Sequence, residues 1–125
     1  MTHNEIFGQI VDAALEVHRT LGPGLLESVY QAALAHELRQ RGLYVETELP
    51  LPVVYKGLFF ELGFRLDLLV ENRVVVELKS VESISPVHSK QLLTYLRLAD
   101  KRLGLLINFN VLLLKDGIKR IANQL

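Results

Sequence analysis

From Gly63 to Ser80 the chain reads Gly-Phe-Arg-Leu-Asp-Leu-Leu-Val-Glu-Asn-Arg-Val-Val-Val-Glu-Leu-Lys-Ser, and no other stretch limits the fold as much. Apolar residues recur at every second position on either side of a polar break, which is the period of a strand and not of a helix. Phe64, Leu66, Leu68 and Val70 are expected to share one face of a first strand, with Arg65 and Asp67 on the other. In a second strand Val74, Val76 and Leu78 share the apolar face, and Glu77 and Lys79 share the opposite one. Pairing Val70 with Val74 leaves Glu71-Asn72-Arg73 as a three-residue hairpin loop, with Asn suited to turn geometry. That register sets Asp67 opposite Glu77, whereas a two-residue loop would send Asp67 to the far face.

Directly opposed side chains on paired strands have Cβ atoms about 4.5–5.5 Å apart, and like charges repel there. Two carboxylates and a lysine in this arrangement leave two readings open on spacing alone. One is a solvated strand face with an ordinary ion pair. The other is a divalent cation seated between the carboxylates.

Asp67 followed by Glu77-Leu78-Lys79 resembles the Asp…(Asp/Glu)-x-Lys signature of the PD-(D/E)xK, or restriction-endonuclease-like, nuclease superfamily. Gln91-Leu-Leu-Thr-Tyr95 is similar to the Gln-xxx-Tyr helix motif of its RecB-type branch. Gly24-Leu-Leu-Glu27-Ser-Val-Tyr30 resembles the namesake motif of the bacterial GxxExxY proteins, a small family assigned to that superfamily. The likeness runs from about Val11 to the C-terminus. It implies one α/β domain over residues 1–125, of restriction-endonuclease-like type, with a mixed central β-sheet flanked by helices. It also implies a metal-dependent nuclease that hydrolyses phosphodiester bonds of DNA, or of RNA, with DNA the preferred expectation. Asp67 and Glu77 would hold Mg²⁺ (or Mn²⁺), and the Leu78 carbonyl would add a ligand. Lys79 would position the attacking water or stabilise the transition state. Glu27 would be a further ligand or orient a water, and Gln91, Tyr95 and Tyr30 would support the site. The alternative is a non-catalytic module that keeps the nuclease fold and binds nucleic acid or protein.

The rest of the chain supplies the scaffold. Thr2 and Glu5 are spaced as a capping box, and Phe7, Ile10, Val11, Ala14, Leu15 and Val17 form a helical stripe ending before Leu21-Gly-Pro-Gly24. His18 near its end is expected to pack, not to catalyse. A second helix is expected from about Leu25 to Arg41, closed by Gly42, with Glu27 in its first turn where the helix dipole favours a carboxylate. Tyr44 to Phe60 turns to strand character. Pro50 and Pro52 argue against a central strand there, and Lys56-Gly57 is a plausible turn. Ser85 and Pro86 open a helix to about Ala99, on which Gln91 and Tyr95 share a face. Leu103 to Phe109 is expected as a buried strand parallel to the second strand of the hairpin. Val111–Leu114 and Ile118–Ile121 flank Asp116-Gly117 and suggest a further hairpin.

With 14 basic and 14 acidic residues, net charge gives no footprint for a nucleic-acid partner, so any such surface must come from local clustering. Lys115, Lys119 and Arg120 are the densest basic group and the candidate for nucleic-acid contact. No apolar run has the roughly 18–20 residues of a membrane span. The chain contains no cysteine, which excludes disulfides and thiolate metal sites, and the start lacks signal-peptide character, so a cytoplasmic location is the expectation. A chain of 125 residues is expected to need a second copy or another protein to grip a duplex.

Overall fold

Thr2 caps the first helix, accepting from the Glu5 N–H while the Glu5 carboxylate accepts from the Thr2 N–H, so the expected capping box is formed. The computed structural model describes residues 1–125. It holds α1 (His3–Leu21), α2 (Glu27–Gln40), β1 (Val45–Tyr55), β2 (Leu58–Val70), β3 (Val74–Lys79), α3 (Pro86–Ala99), β4 (Leu103–Asn108), a short 3-10 turn (Leu114–Gly117) and β5 (Ile118–Ala122). The strands form one five-stranded sheet in chain order. Only β3 and β4 run parallel, joined by α3 as the expected crossover. The other neighbours are antiparallel.

Two apolar clusters lie on opposite faces of the sheet. Ile6, Ile10, Ala14, Tyr30, Leu34 and Leu38 bring α1 and α2 onto Leu68, Val70, Val74, Val76 and Leu78. Leu92 and Leu96 bring α3 onto Leu66, Leu69, Val75 and Leu106. The domain is therefore a mixed-sheet α/β fold with helices on both faces, of the restriction-endonuclease-like kind.

The predicted hairpin register is present: Val70 pairs with Val74, and Glu71 and Asn72 take the positive φ values that the tight loop requires. The predicted single apolar face of β2 is not. Leu68 and Val70 face α1 and α2, but Phe64 and Leu66 lie in the α3 cluster. The strand turns over at Asp67, and Glu48, lying between the Thr47–Leu68 and Leu49–Leu66 pairs on β1, has a left-handed φ of 49°. Strict period two holds only while the ladder is regular, and it is not regular at this position.

The proposed Asp116-Gly117 hairpin is also absent. Val111–Leu113 form no strand, and β5 pairs with β4 through Ile107 and Ile118. Gly117 serves a close approach and not a two-residue turn, since a Cβ there would lie 2.2 Å from the Asn108 carbonyl oxygen.

Candidate functional site

The β2–β3 backbone ladder ends at Leu68–Val76, one step short of Asp67 and Glu77. Two side-chain bonds take over from it. The Asp67 N–H donates to Glu77 Oε2 at 2.8 Å, and the Leu78 N–H donates to Asp67 Oδ2 at 2.8 Å. The carboxylates are thereby drawn into the gap where the strands part. Glu77 is 7% exposed, and Asp67 and Lys79 are half-buried. Asp67 Oδ1 and Glu77 Oε1 make no hydrogen bond to the chain.

Burial, reinforced by the Asp67 carboxylate beside it, pushes the Glu77 carboxyl up to about 8. Burial also raises Asp67, with Glu27 and Glu48 adding to the effect while the Leu78 N–H and Lys79 oppose it. Lys79 is close enough to favour both anions but forms no ion pair with either. The side-chain ion pairs of this chain are Arg19–Glu16, Arg41–Glu37 and Arg102–Asp100. A solvated strand face with an ordinary ion pair is not what the sequence has built.

Glu27 stands at the start of α2, exposed, with its Oε2 accepting from the Ser80 N–H at 3.2 Å. Its charge reaches both carboxylates, yet no three acidic or histidine side chains are gathered tightly enough to enclose a metal alone. Tyr30 is fully buried. Its hydroxyl donates to the Gly22 carbonyl at 2.6 Å and accepts from the Leu25 N–H at 3.1 Å, while its ring stacks on Phe109 with centroids 4.4 Å apart. It therefore shapes the loop before α2. The Leu25 carbonyl in turn accepts from Ser80 Oγ at 2.7 Å. The Gly24–Tyr30 segment is thus clamped to the residue that follows Lys79.

On α3, Tyr95 stacks on Phe64 with centroids 4.7 Å apart. Burial raises its phenol, and the Glu77 and Asp67 carboxylates add to the rise, which sets it beside the pair. Gln91 lies one turn earlier and is exposed. The three basic candidates are divided. Lys115 sits in the 3-10 turn. Arg120 reaches back to Asn4 and the Phe7 ring of α1, and Lys119 lines a cavity with Pro86, Ser89 and Lys90 of α3. Adjacent residues on β5 point to opposite faces, so nearness in sequence did not make one basic patch.

Three residues of the site were not singled out from sequence. Glu48 lies on β1 between the Thr47–Leu68 and Leu49–Leu66 pairs and its charge acts on Asp67, Ser80 ties α2 to β3, and buried Asn108 holds the segment after β3. Asn108 Oδ1 accepts from the Val81 and Asn110 N–H groups, and its Nδ2 donates to the Val81 carbonyl at 2.9 Å. A lone amide inside Leu-Gly-Leu-Leu-Ile-Asn-Phe was the available signal for Asn108. No signal placed Glu48, because the bulge between Leu51 and Val53 shifts the β1–β2 register.

The family model described as the PD-(D/E)XK nuclease superfamily matches residues 4–121. No curated protein and no solved structure matches the chain. No helix is long and apolar enough to cross a membrane.

Proposed function

Because the chain belongs to the PD-(D/E)XK nuclease superfamily, whose members generally use divalent metals, we propose that it hydrolyses phosphodiester bonds of nucleic acid with Mg²⁺ or Mn²⁺ held between Asp67 and Glu77. The Gly24–Tyr30 segment supports the GxxExxY branch, and DNA is the preferred substrate.

One observation carries this reading: two carboxylates are drawn together by backbone N–H groups with no cationic side chain bonded to either. Confining like charges without a counter-charge is costly, and an external hard cation relieves that cost. The donor set fits such an ion. Asp67 Oδ1 and Glu77 Oε1 are free, the Leu78 carbonyl is a third oxygen, and Mg²⁺ commonly takes only one or two carboxylates besides water and phosphate. A cation held there offsets phosphate charge and makes an attacking water more acidic.

The chain's own residues supply the remainder. The Asp67 and Leu78 N–H groups fix the carboxylates before substrate arrives, so little reorganisation is left to the reaction. Lys79, on the same face of β3 as Glu77 and tied up in no ion pair, donates to the water or to the charge developing on phosphate. Glu27 holds Ser80, and through it the end of β3 that aims Lys79. Tyr95, whose phenol feels both carboxylates, would offer a donor to a phosphate from α3, and Gln91 one turn earlier on that helix would add another.

The test is cleavage of duplex DNA, single-stranded DNA and RNA by purified protein with Mg²⁺ or Mn²⁺, beside Glu77→Gln and Lys79→Ala. A wild type that cuts none of them under either metal overturns the proposal. That no three acidic or histidine side chains enclose a metal favours a second reading, a binding module without catalysis. It predicts metal-independent binding that survives Asp67→Ala.

A further inference from the structure

The outer half of the β1–β2 ribbon leaves the layered core behind. Leu49, Leu51 and Phe64 still pack against the α3 cluster. Past the bulge at Leu51–Val53, Val54, Tyr55, Leu58, Phe59, Phe60 and Leu62 are 50–66% exposed. Val54 opposes Phe59 and Tyr55 opposes Leu58, so apolar side chains stand on both faces of a two-stranded arm. An isolated two-stranded ribbon is marginal in water, and one that is apolar on both faces gains by being covered.

We propose that this arm is a self-association surface, through which two copies of the chain pack their β1–β2 arms together about a two-fold axis. Area is the first argument. Large side chains exposed to this degree present on the order of 100 Å² each, or about 600 Å² per copy. Counted over both faces, that matches the upper end for the largest apolar patch of a typical monomer. A two-fold contact covers one face, roughly 300–400 Å² of apolar surface per copy, and since an interface is only about 60% apolar, two copies bury about 1,000–1,200 Å² in all, the small end of the range for a specific interface.

Charge is the second argument. Lys56 stands at the arm's turn and Glu61 on its return strand. A two-fold, antiparallel packing of arms carries Lys56 of one copy toward Glu61 of its partner, so the surface complements itself. A nucleic-acid duplex or an anionic lipid surface would call for a net basic arm. Here the single Lys56 is offset by the single Glu61. Pro50 and Pro52 on the edge strand β1 remove two backbone donors. This discourages continuous edge-to-edge pairing and leaves closed, side-chain packing as the favoured mode.

The proposal does not depend on the chain being a nuclease. Its test is sedimentation and light scattering of the full chain across micromolar concentrations, with far-UV circular dichroism as a check on folding. The wild type is expected as a dimer and Leu58→Ser/Phe59→Ser as a folded monomer. Lys56→Glu is expected to weaken the dimer several-fold, and Lys56→Glu/Glu61→Lys to restore it. The charge pair keeps the test decisive if the serine variant fails to fold. A monomeric wild type overturns the proposal, as does a dimer untouched by all of these changes. So does a monomer whose arm binds duplex DNA or anionic vesicles and loses that binding in the serine variant.

Discussion

At the root of the β1–β2 ribbon, Glu77 of β3 and Asp67 of β2 are carboxyl groups wholly or partly withdrawn from water. At its tip, Phe59 and Leu58 are apolar groups held in it. The same two strands run through both regions, with the same pleat. What differs is their surroundings. The root is flanked by β3 and covered by α3 on one face and by α1 and α2 on the other, whereas the tip extends past every helix. Secondary structure continues where layers do not, and residue chemistry then runs against the usual rule of apolar inside and charged outside. At the root the inversion suits the proposed metal site, and at the tip it suits the proposed contact between copies.

The sharpest way to break this contrast is at Glu77. Glu77→Gln keeps an oxygen for the Asp67 N–H but removes the charge. Cleavage is expected to fall by at least ~100-fold, and Lys79→Ala by a similar factor, measured as initial rates on DNA with Mg²⁺. The fold should meanwhile be retained. An equal loss of stability would mean that the pair is only a strand clamp.

Acidity sharpens the contrast next. Glu77 is raised from 4.5 in the unfolded chain to about 8 in the folded one. The folded state therefore binds its proton more tightly. The associated stability is complete below about pH 4.5 and is lost as pH rises through about 8. Asp67 shifts in the same direction. In chelator the melting temperature is expected to fall from weakly acidic to alkaline pH. Mg²⁺ should reduce that fall, with its largest shift at the alkaline end. In Glu77→Gln the pH slope should flatten and the Mg²⁺ shift should vanish. Thermal melts with and without EDTA decide it.

Smaller effects map the ribbon between the two ends. Gly63 faces Val53 at the bulge, where a Cβ would meet Val53 Cγ2 at 2.1 Å. Gly63→Ala must push the strands apart, with an expected cost of ~1–3 kcal/mol in denaturant titrations. Tyr30→Phe keeps the stack on Phe109 but loses the bonds to Gly22 and Leu25. It is expected to cost ~1–2 kcal/mol and to lower the cleavage rate several-fold through the loop that holds Ser80. At the tip, Leu58→Ser/Phe59→Ser should change monomer stability by no more than about 0.5 kcal/mol, since those side chains leave no cavity behind. A large loss there would mean that the tip belongs to the core after all.

The arrangement around Asp67 and Glu77 was largely legible in the sequence. The Val70–Val74 pairing, and with it the meeting of Asp67 and Glu77, follows from the loop length and the alternation of β3. The crossover through α3 follows from its Ser85-Pro86 start and the apolar run at Leu103. The exchange of faces at Asp67 did not follow, because one irregular position inverts every side chain beyond it. The splitting of Lys119 from Arg120 was legible in principle from strand period. It holds whether Ile118–Ile121 pairs with Val111–Leu114, as the turn signal suggested, or with β4, as it does.

Local pattern is enough to specify strands, caps and the meeting of three chemical groups, since periodicity and turn length act over a few residues. The burial that lifts Glu77, the lack of any bonded cation beside it, the clamp from Tyr30 through Leu25 to Ser80, and the bare apolar arm belong to the assembled layers. Each depends on which distant segment comes to rest against a given atom, and solvent exposure is a property of that packing and not of the order of residues.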